Sequence, residues 1–367
     1  MMRVLHVNTE KTWRGGERQT VFTALEQRRQ RMDSHIACRR GSPLEKMAAT
    51  QAIPVFNLST AAPIALANLI KMTRAFDLLH CHSARAHSLA ALATLIHKKP
   101  LVVSRRVDFV PQNNWFNRFK YRRASKVVCV SRHVANLMRN QGLSTERLVV
   151  IHDAVPDEAL PPKEVCLQQL LAKAAIPTGK HIVGNIAALV PHKDHATLLR
   201  AAQAVAAQRN DVIFVIIGEG ELRADLLRLR AGLRLEKTVY LPGFIPQAQQ
   251  LLPAFDVFAM SSCMEGLGSI VLEAGMAGIP VVATAGGGLP EIVEDNRTGL
   301  LVPVRDAPAL ANGILRLLSD PLLAARLAES ARSRVCTEFS VAHMTRKYIA
   351  VYHEVLGRGD QSGTRRI

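Results

Sequence analysis

At residues 257–283 the chain reads VFAMSSCMEGLGSIVLEAGMAGIPVVA. Two short apolar runs, Val257–Met260 and Val281–Ala283, are separated by a turn with two glycines and by a helical run over Ser269–Ala277. Aliphatic strands separated by a helix are typical of a βαβ unit with parallel strands. The stretch therefore predicts an α/β fold.

The same alternation continues on both sides of this stretch. In the second half the further strand candidates are His181–Ile186, Val212–Ile217, Thr238–Leu241 and Leu300–Val302. In the first half they are Arg3–Val7, His35–Cys38, Val55–Leu58, Leu78–His80, Leu101–Val103, Val127–Val130 and Leu148–Ile151. Helical runs such as Arg18–Arg29, Ser83–His97, Ala196–Gln208 and Pro308–Leu318 lie between them. Two doubly wound domains facing across a cleft are predicted, and such a cleft is a usual small-molecule site.

Four prolines within residues 156–179, with a short helical stretch between them, mark the boundary between the halves. We predict an N-terminal domain over residues 1–155, a linker over 156–179 and a C-terminal domain over 180–340. A last helical segment, residues 341–358, is expected to pack back on the first domain.

The composition excludes several classes of protein. With 367 residues, 48% hydrophobic and 21% charged, the chain resembles globular proteins and not disordered ones. Its apolar runs are shorter than the roughly 20 residues of a membrane-spanning helix. No signal peptide is expected, because the N-terminus becomes polar at Asn8 and Glu10. Six cysteines without CxxC spacing indicate free thiols in a reducing compartment, so a cytoplasmic location is expected.

The positive charge of the chain belongs to its first half. Residues 1–150 contain 25 basic and 8 acidic side chains, whereas residues 151–367 contain 22 of each. Such asymmetry suggests an anionic partner: nucleic acid, a lipid surface or a phosphorylated acceptor. A merely solubilising surface is the simpler alternative.

The densest basic segment runs from Arg105 to Arg132 and also contains five aromatic residues. Basic and aromatic side chains together suit an anionic membrane or acceptor surface, and also single-stranded nucleic acid. The candidates for a membrane or acceptor surface are Arg118, Lys120, Arg122 and Arg123. The alternative is a helix that buries Trp115 and Phe119 in the core of the domain.

The turn at Glu265–Gly268 has the features of a phosphate site. If a helix begins at Ser269, the N–H groups of Gly268, Ser269 and Ile270 have no intrahelical acceptor and can bind a phosphate. Glu265 and Glu273 would be about 12 Å apart along a helix, at 1.5 Å per residue. That separation suits carboxylates that hold the two ends of a sugar diphosphate.

The ordered set of motifs resembles family 4 glycosyltransferases of GT-B fold. The set is Trp13–Arg18, Asp77–Ser83, Val130-Ser131, Val190–Asp194, Gly218-Glu219-Gly220, Glu265–Glu273, Ala274–Ala283, Gly286–Val293 and Gly299–Pro303. This similarity runs through most of the chain.

The resemblance implies a retaining transfer from a nucleotide-sugar, with no metal or other cofactor. It implies that Glu265 holds the donor sugar and that Glu273 holds the ribose hydroxyls. Lys193 would neutralise the diphosphate. The other implied donor contacts are Gly16 and Gly268, Ser269 and Ile270 for the phosphates, and Phe244 and Ile245 for the base.

The chain departs from many relatives at two positions. Where they carry a phosphate-site arginine, this chain has Ala188, so either Lys193 must neutralise more of the charge or Arg14 or Arg18 must substitute. Where they carry a histidine after the strand Leu101–Val103, it has Ser104-Arg105-Arg106. His82 and Arg105 are therefore the acceptor-side candidates. No DxD sequence is present, and His192 and His195 lack partners at metal spacing, so no metal site is expected.

We therefore expect a glycosyltransferase that acts on a phosphorylated glycolipid or glycan, such as a lipopolysaccharide core or a lipid-linked intermediate. It would be peripheral to the inner face of the plasma membrane. A soluble acceptor or a nucleotide-sugar epimerase activity is the alternative. A nucleic-acid-binding protein is weaker, because no helix-turn-helix, RRM or zinc pattern appears. Each assignment has a structural alternative. Glu265 and Glu273 are then a helix N-terminal charge and a solvated helix face, Lys193 a surface lysine and His82 a structural histidine. Gly286-Gly287-Gly288 is then only a flexible turn, and Glu291 a helix N-terminal charge.

Overall fold

The computed structural model describes residues 1–112 and 114–357. The chain divides into two compact units, each of which is described by itself below. The first unit comprises Met1–Pro156 and Val341–Ile367, and the second comprises Asp157–Ser340.

The first unit contains seven strands and six helices before residue 156. The strands are β1 (Arg3–Asn8), β2 (Asp33–Arg39), β3 (Val55–Leu58), β4 (Leu78–Cys81), β5 (Leu101–Arg105), β6 (Lys126–Cys129) and β7 (Leu148–Val150). The helices are α1 (Gly15–Arg29), α2 (Pro43–Thr50), α3 (Ala62–Thr73), α4 (Ala84–His97), α5 (Trp115–Arg123) and α6 (Arg132–Asn140). The strands pair in parallel in the order β3-β2-β1-β4-β5-β6-β7.

The second unit repeats this architecture. Its strands are β8 (His181–Ile186), β9 (Val212–Ile217), β10 (Val239–Gly243), β11 (Val257–Met260), β12 (Val281–Thr284) and β13 (Leu300–Val302). Its helices are α7 (Lys163–Ala174), α8 (His195–Ala206), α9 (Arg223–Gly232), α10 (Ser269–Met276), α11 (Leu289–Ile292), α12 (Ala307–Ser319) and α13 (Pro321–Glu338). The strands pair in parallel in the order β10-β9-β8-β11-β12-β13.

The central strands are buried along their whole length. All six residues of β9 and all four of β11 are buried, which is typical of a parallel sheet covered by helices on both faces. Helix ends follow the local sequence: Ser131 accepts from the N–H of Val134 at the start of α6, and Asp306 accepts from that of Ala309 at the start of α12. No helix in the described ranges is both long and apolar enough to cross a membrane.

The last helix of the described chain, α14 (Val341–Val355), belongs to the first unit. Its residues Met344, Tyr348 and Tyr352 share a core with residues of β1, β4 and β5. It thus lies where the sequence suggested, although residue 358 of the predicted segment lies outside the described residues.

The segment 156–179 differs from the predicted linker. It contains α7, whose residues Cys166 and Leu170 are buried, and α7 packs on the 3-10 helix Ala248–Ala254 of the second unit. The units divide between Pro156 and Asp157. The prolines indicated this boundary, and the short helical stretch between them is α7, which belongs to the second unit and not to a linker.

Both sheets reverse their strand order at one point. In the first unit this point lies between β1 and β4, and in the second it lies between β8 and β11. In doubly wound sheets, ligands bind outside the carboxyl ends of the strands at such a point. The loops after β1, β4, β8 and β11 are therefore the places to examine.

Candidate active site

In the second unit, the loops after β8 and β11 bring Lys193 and Glu265 into direct contact. The ammonium of Lys193 contacts Oε1 of Glu265, and both side chains are largely buried. The hydroxyl of Ser262 donates to the same carboxylate oxygen over 2.8 Å. The two residues predicted to act on the donor thus form one ion pair at the reversal point of the sheet.

A buried set of hydrogen bonds holds these two loops together. The Ser261 hydroxyl donates to the carbonyl of Lys193 over 3.0 Å, and the N–H of Cys263 donates to the carbonyl of His192 over 2.9 Å. The Thr284 hydroxyl donates to the carbonyl of Ser262 over 2.5 Å. The position of Lys193 is therefore fixed through the main chain as well as through its ion pair.

Gly286-Gly287-Gly288 packs directly against the Glu265 loop. A Cβ on Gly286 would lie 2.4 Å from the carbonyl oxygen of Ser262, and one on Gly287 would lie 2.2 Å from that of Glu265. The N–H of Gly288 donates to the carbonyl of Glu265 over 2.9 Å. The triplet therefore lets two backbone segments pack closely at the candidate site. A merely flexible turn would not require glycine at these positions.

Helix α10 begins beside Glu265 as the sequence predicted. Gly268 precedes it with a φ of 88°, a conformation in which glycine is the favoured residue. Because the helix starts at Ser269, the N–H groups of Gly268, Ser269 and Ile270 have no intrahelical acceptor, whereas that of Val271 donates to the carbonyl of Gly268 over 2.9 Å. Glu273 lies in the second turn and is buried.

The predicted base-binding residues follow β10. Phe244 is 70% exposed, whereas Ile245 is buried. The N–H of Gly218 donates to the carbonyl of Gly243 over 3.0 Å, which joins the ends of β9 and β10. A Cβ on Gly218 would lie 1.9 Å from the carbonyl oxygen of Ala187, so the glycine allows β9 to approach the segment that contains Ala188.

His195, two residues after Lys193, is part of the packing of the second unit. His195 is buried and its Nε2 lies 3.2 Å from Oδ1 of Asn185. Burial, followed by the charges of Lys193 and His192, lowers the pKa of His195 to about 4. The side chain is therefore a neutral structural group at the start of α8.

In the first unit, the predicted basic surface needs one correction. Lys120 is buried, its ammonium lies 5.7 Å from the centroid of the Tyr121 ring, and burial lowers its pKa. It therefore cannot contribute to a solvent-facing surface, because its position on α5 points it into the domain. Arg118, Arg122 and Arg123 are exposed, although Arg123 donates to Thr94 through two nitrogens.

The aromatic residues of the same segment do not all enter the core. Trp115 is 76% exposed and Phe109 is 64% exposed, and of the five aromatic residues of this segment only Tyr121 is buried. The alternative in which α5 buries Trp115 is therefore wrong. The segment instead presents aromatic and basic side chains together.

The remaining predicted site residues, Gly16, His82 and Arg105, also belong to the first unit. Gly16 lies in the first turn of α1, where Glu17 accepts from the N–H of Arg14 over 2.9 Å. Burial raises the pKa of Glu17. Arg105 ends β5, and its guanidinium donates to the hydroxyl of Tyr121 over 3.0 Å.

The structure also reveals a group that sequence reasoning missed. His6, His80 and His82 lie together at the reversal point of the first sheet, all three buried, with one ring nitrogen of each within 4.8 Å of the others. The spacing of His80 and His82 places both on one face of an extended chain. His6 could be added only from the sheet order, which puts His6 opposite His80.

Comparison with known proteins agrees with this fold. The family model described as "Glycosyltransferase Family 4" matches residues 13–159, and that described as "Glycosyl transferases group 1" matches residues 168–334. Among solved structures, Anabaena Alr3699/HepE in complex with UDP-glucose superimposes with a TM-score of 0.84 at 22% identity, covering 96% of this chain and 100% of that one.

Two relatives have different assigned roles. N-acetyl-alpha-D-glucosaminyl L-malate synthase of Bacillus anthracis is 24% identical over 84% of this chain and 82% of its own length. Lipopolysaccharide core biosynthesis glycosyltransferase LpsE of Rhizobium meliloti is 32% identical over 48% of this chain and 51% of its own length. The predicted α/β class with two Rossmann-like domains is confirmed. The chain is therefore a glycosyltransferase that belongs to family 4 and has the GT-B fold.

Proposed function

We propose that this enzyme is a retaining glycosyltransferase that moves a sugar from a nucleotide-sugar to an anionic glycolipid or polysaccharide. The observation that carries the proposal is the Lys193–Glu265 pair, held by Ser262 beside the N-terminus of α10. A cation, a carboxylate and a set of N–H donors at the reversal point of one sheet match the groups of a sugar diphosphate.

Each donor group then has a partner in the second unit. Glu265 holds the hydroxyls of the transferred sugar, and Glu273, buried one turn further along α10, holds the ribose hydroxyls. Phe244 and Ile245 at the end of β10 hold the base, and the exposed ring of Phe244 leaves a face for stacking. The proposed phosphate contact of Gly16 belongs to the first unit and stays a prediction.

The departing diphosphate is stabilised by the protein alone. Breaking the glycosidic bond leaves negative charge on the diphosphate, and fixed cations and N–H dipoles are the largest source of help for such charge. Lys193 supplies the cation, and Gly268, Ser269 and Ile270 supply the N–H groups. We therefore propose a transfer that requires no metal ion.

The acceptor is proposed to be anionic and to lie at the inner membrane face. The residues of the first unit include 30 basic and 11 acidic side chains, whereas those of the second include 17 and 19. The similarity to LpsE supports a lipopolysaccharide core as one such acceptor. A soluble acceptor is the second candidate, favoured by the longer similarity to the L-malate synthase.

The donor assignment can be tested by binding and by turnover. UDP, GDP and ADP would first be compared by thermal shift, since a ligand of the folded state raises its apparent stability. With the nucleotide so identified, Glu273→Ala should weaken its binding by about 1–3 kcal/mol, because charge-assisted hydrogen bonds are lost. Glu265→Ala should reduce sugar transfer far more than it reduces nucleotide affinity.

The matched control is Glu236→Ala, which removes an exposed carboxylate of the same unit. It should change neither binding nor transfer. Equal losses of nucleotide affinity in Glu265→Ala and Glu273→Ala would show that the two ends of the donor are assigned wrongly. No thermal shift with any of the three nucleotides would remove the support for a nucleotide-sugar donor.

A further inference from the structure

Two arrangements fit the buried group of His6, His80 and His82: a metal site and a hydrogen-bonded cluster. Nδ1 of His6 lies 2.9 Å from Nε2 of His82. Both nitrogens of His80 also have partners, the hydroxyl of Tyr352 at 2.7 Å and that of Ser104 at 2.8 Å. Distances alone allow either interpretation, so the positions of the protons decide between them.

Arg106 decides the proton positions, because a guanidinium only donates hydrogen bonds. Its Nη1 lies 3.1 Å from Nδ1 of His82. Nδ1 must therefore be the acceptor nitrogen of the His82 ring, and the proton of a neutral His82 must be on Nε2. That proton points to Nδ1 of His6, which accepts it.

The order continues through His6 to α1 and α14. Since Nδ1 of His6 accepts, its proton is on Nε2, which donates to Oε1 of Gln27 over 2.8 Å. The amide nitrogen of Gln27 then donates to the hydroxyl of Tyr352 over 3.2 Å. One cation at the end of β5 thus orders the hydrogen bonds of β1, β4, α1 and α14.

Arg106 is itself fixed and charged. Its Nε donates to Oδ1 of Asp153 over 2.7 Å, and its Nη2 lies 3.4 Å from the hydroxyl of Tyr348. Burial acts to lower the pKa of Arg106, but the attraction of Asp153 holds it above its ordinary value. Burial also lowers the pKa of His6 to about 4 and that of His82 well below its usual range, so both rings are neutral at neutral pH.

We propose that Arg106 is a positioning residue that fixes the tautomer of His82 and, through it, that of His6. These two rings then form a proton-ordered hydrogen-bond chain that does not bind metal. A divalent ion needs imidazole lone pairs, and the only lone pair of His82 faces the guanidinium. A second buried cation there would also be repelled. His82 consequently has no ring nitrogen free to take a proton from an acceptor hydroxyl. This inference is independent of the donor and acceptor proposed above.

The direct test is the tautomer of each ring, measured on the full chain labelled with ¹⁵N-histidine. Long-range ¹H–¹⁵N correlation spectra at neutral pH separate protonated from unprotonated ring nitrogens. His6 and His82 should each be protonated on Nε2 alone. Protonation of His82 on Nδ1, or on both nitrogens, would overturn the proposal.

The variant that tests Arg106 replaces both members of its ion pair, Arg106→Met with Asp153→Leu, so that no unpaired charge remains buried. His82 should then lose its single tautomer and give exchange-averaged nitrogen shifts. The control Arg105→Met removes the neighbouring arginine, which does not contact the histidines, and should leave both tautomers unchanged. A double variant that folds and keeps the wild-type tautomers would contradict the role of Arg106.

A zinc titration of the wild-type chain completes the test. The same spectra should show no change of the three rings, and calorimetry should show no stoichiometric uptake through them. If one equivalent of zinc shifts the ring nitrogen signals of His6, His80 and His82 together, the group is a metal site and the proposal is wrong. If the double variant does not fold, the wild-type tautomers and the titration decide the proposal.

Discussion

At the scale of single residues, the Lys193–Glu265 ion pair explains how two opposite charges are tolerated in a largely buried site. Removing one member of a buried ion pair leaves an uncompensated charge, which costs about 3–5 kcal/mol. Each residue therefore holds the other in place. A diphosphate that approaches the N-terminus of α10 offers Lys193 a second and more negative partner.

We predict that Lys193→Ala lowers sugar transfer by roughly 10²-fold or more, because removal of one fixed charge stabiliser has effects of that size. Nucleotide affinity should fall less than turnover, since the negative charge on the diphosphate increases during bond breaking. Steady-state kinetics together with calorimetric binding would measure both effects.

The control for this variant is Lys180→Ala, an exposed lysine of the same unit that donates to the carbonyl of Asn210. Its kinetics should match those of the wild type. Treatment of the wild type with EDTA should leave transfer intact. Activity that disappears with the chelator and returns with Mg²⁺ or Mn²⁺ would mean that Lys193 does not stabilise the leaving group alone.

The contact between these two residues could not be predicted from their positions in the sequence. They are 72 residues apart in the sequence. They meet in space because β8 and β11 are neighbours in the sheet, although β9 and β10 lie between these strands in the chain. The glycines and the second glutamate around Glu265 identified it as a candidate site residue, whereas no sequence pattern identified Ser262. Its role depends on the direction of its hydroxyl, which spacing does not encode.

At the scale of elements, the glycine triplet between β12 and α11 determines the shape of the Glu265 loop. Gly287 has a φ of 59°, and a Cβ there would meet the backbone nitrogen of Glu265 at 2.5 Å. Neither atom can move without displacing the loop that holds the ion pair. The triplet therefore fixes the backbone conformation of the candidate site.

Gly287→Ala should therefore destabilise the second unit by at least about 1–3 kcal/mol, the cost of one strained backbone residue. Sugar transfer should fall as well, because the Glu265 loop must shift. Thermal unfolding and kinetics of the same preparation would test this.

The matched substitution is Gly232→Ala near the end of α9, where a Cβ meets no atom within 4 Å and φ is not positive. It should be neutral or stabilising by up to about 1 kcal/mol, because alanine restricts the unfolded chain. Equal melting temperatures for the two variants would refute the packing argument for Gly287.

The strands were easier to predict than the helices. All thirteen strands of the described chain coincide with runs identified in the sequence, because buried parallel strands are continuous apolar runs. The helix α13 was missed because its buried stripe of Leu327, Ala331 and Val335 is narrow and lies among charged residues. Helix α7 was recognised as a short helical stretch, but the prolines on either side of it suggested a linker.

At the scale of the whole molecule, buried neutral histidines make the first unit sensitive to acid. The pKa of His6 is lowered from 6.5 to about 4 and that of His87 to about 3, in both cases mainly by burial. A lowered pKa in the folded state means that stability is present above pH 6.5, where both states are neutral. It is lost as the pH falls towards the folded value, because the unfolded chain binds the proton first.

We predict that the first unit loses stability between about pH 6.5 and pH 4. His6 alone contributes a loss on the order of 3 kcal/mol, since one pKa unit corresponds to about 1.4 kcal/mol. Both tryptophans, Trp13 and Trp115, belong to this unit, and Trp13 packs against one of its cores. Denaturant unfolding followed by tryptophan fluorescence at several pH values would measure the loss. A midpoint that stays constant over this range would contradict the neutral state of the cluster.

The charge of the chain is concentrated in one unit, and this leads to the last prediction. The wild type should sediment with anionic vesicles at low salt and remain in solution at about 1 M salt, where the Debye length falls to about 3 Å. Arg118→Glu with Arg122→Glu should remove ~2 kcal/mol of attraction or more, at about 1 kcal/mol for each basic residue near the surface. Trp115→Ser should also weaken binding at low salt, because the exposed Trp115 ring contributes apolar contact.

The matched control reverses two exposed basic residues of the second unit, Arg200→Glu with Lys237→Glu. This variant has the same net charge as the variant of the first unit, so it distinguishes a local surface from a general effect of charge. It should sediment as the wild type does. If the wild type stays in solution with anionic vesicles at low salt, the membrane-bound acceptor is excluded as the reason for the basic unit. A soluble acceptor then becomes the better proposal.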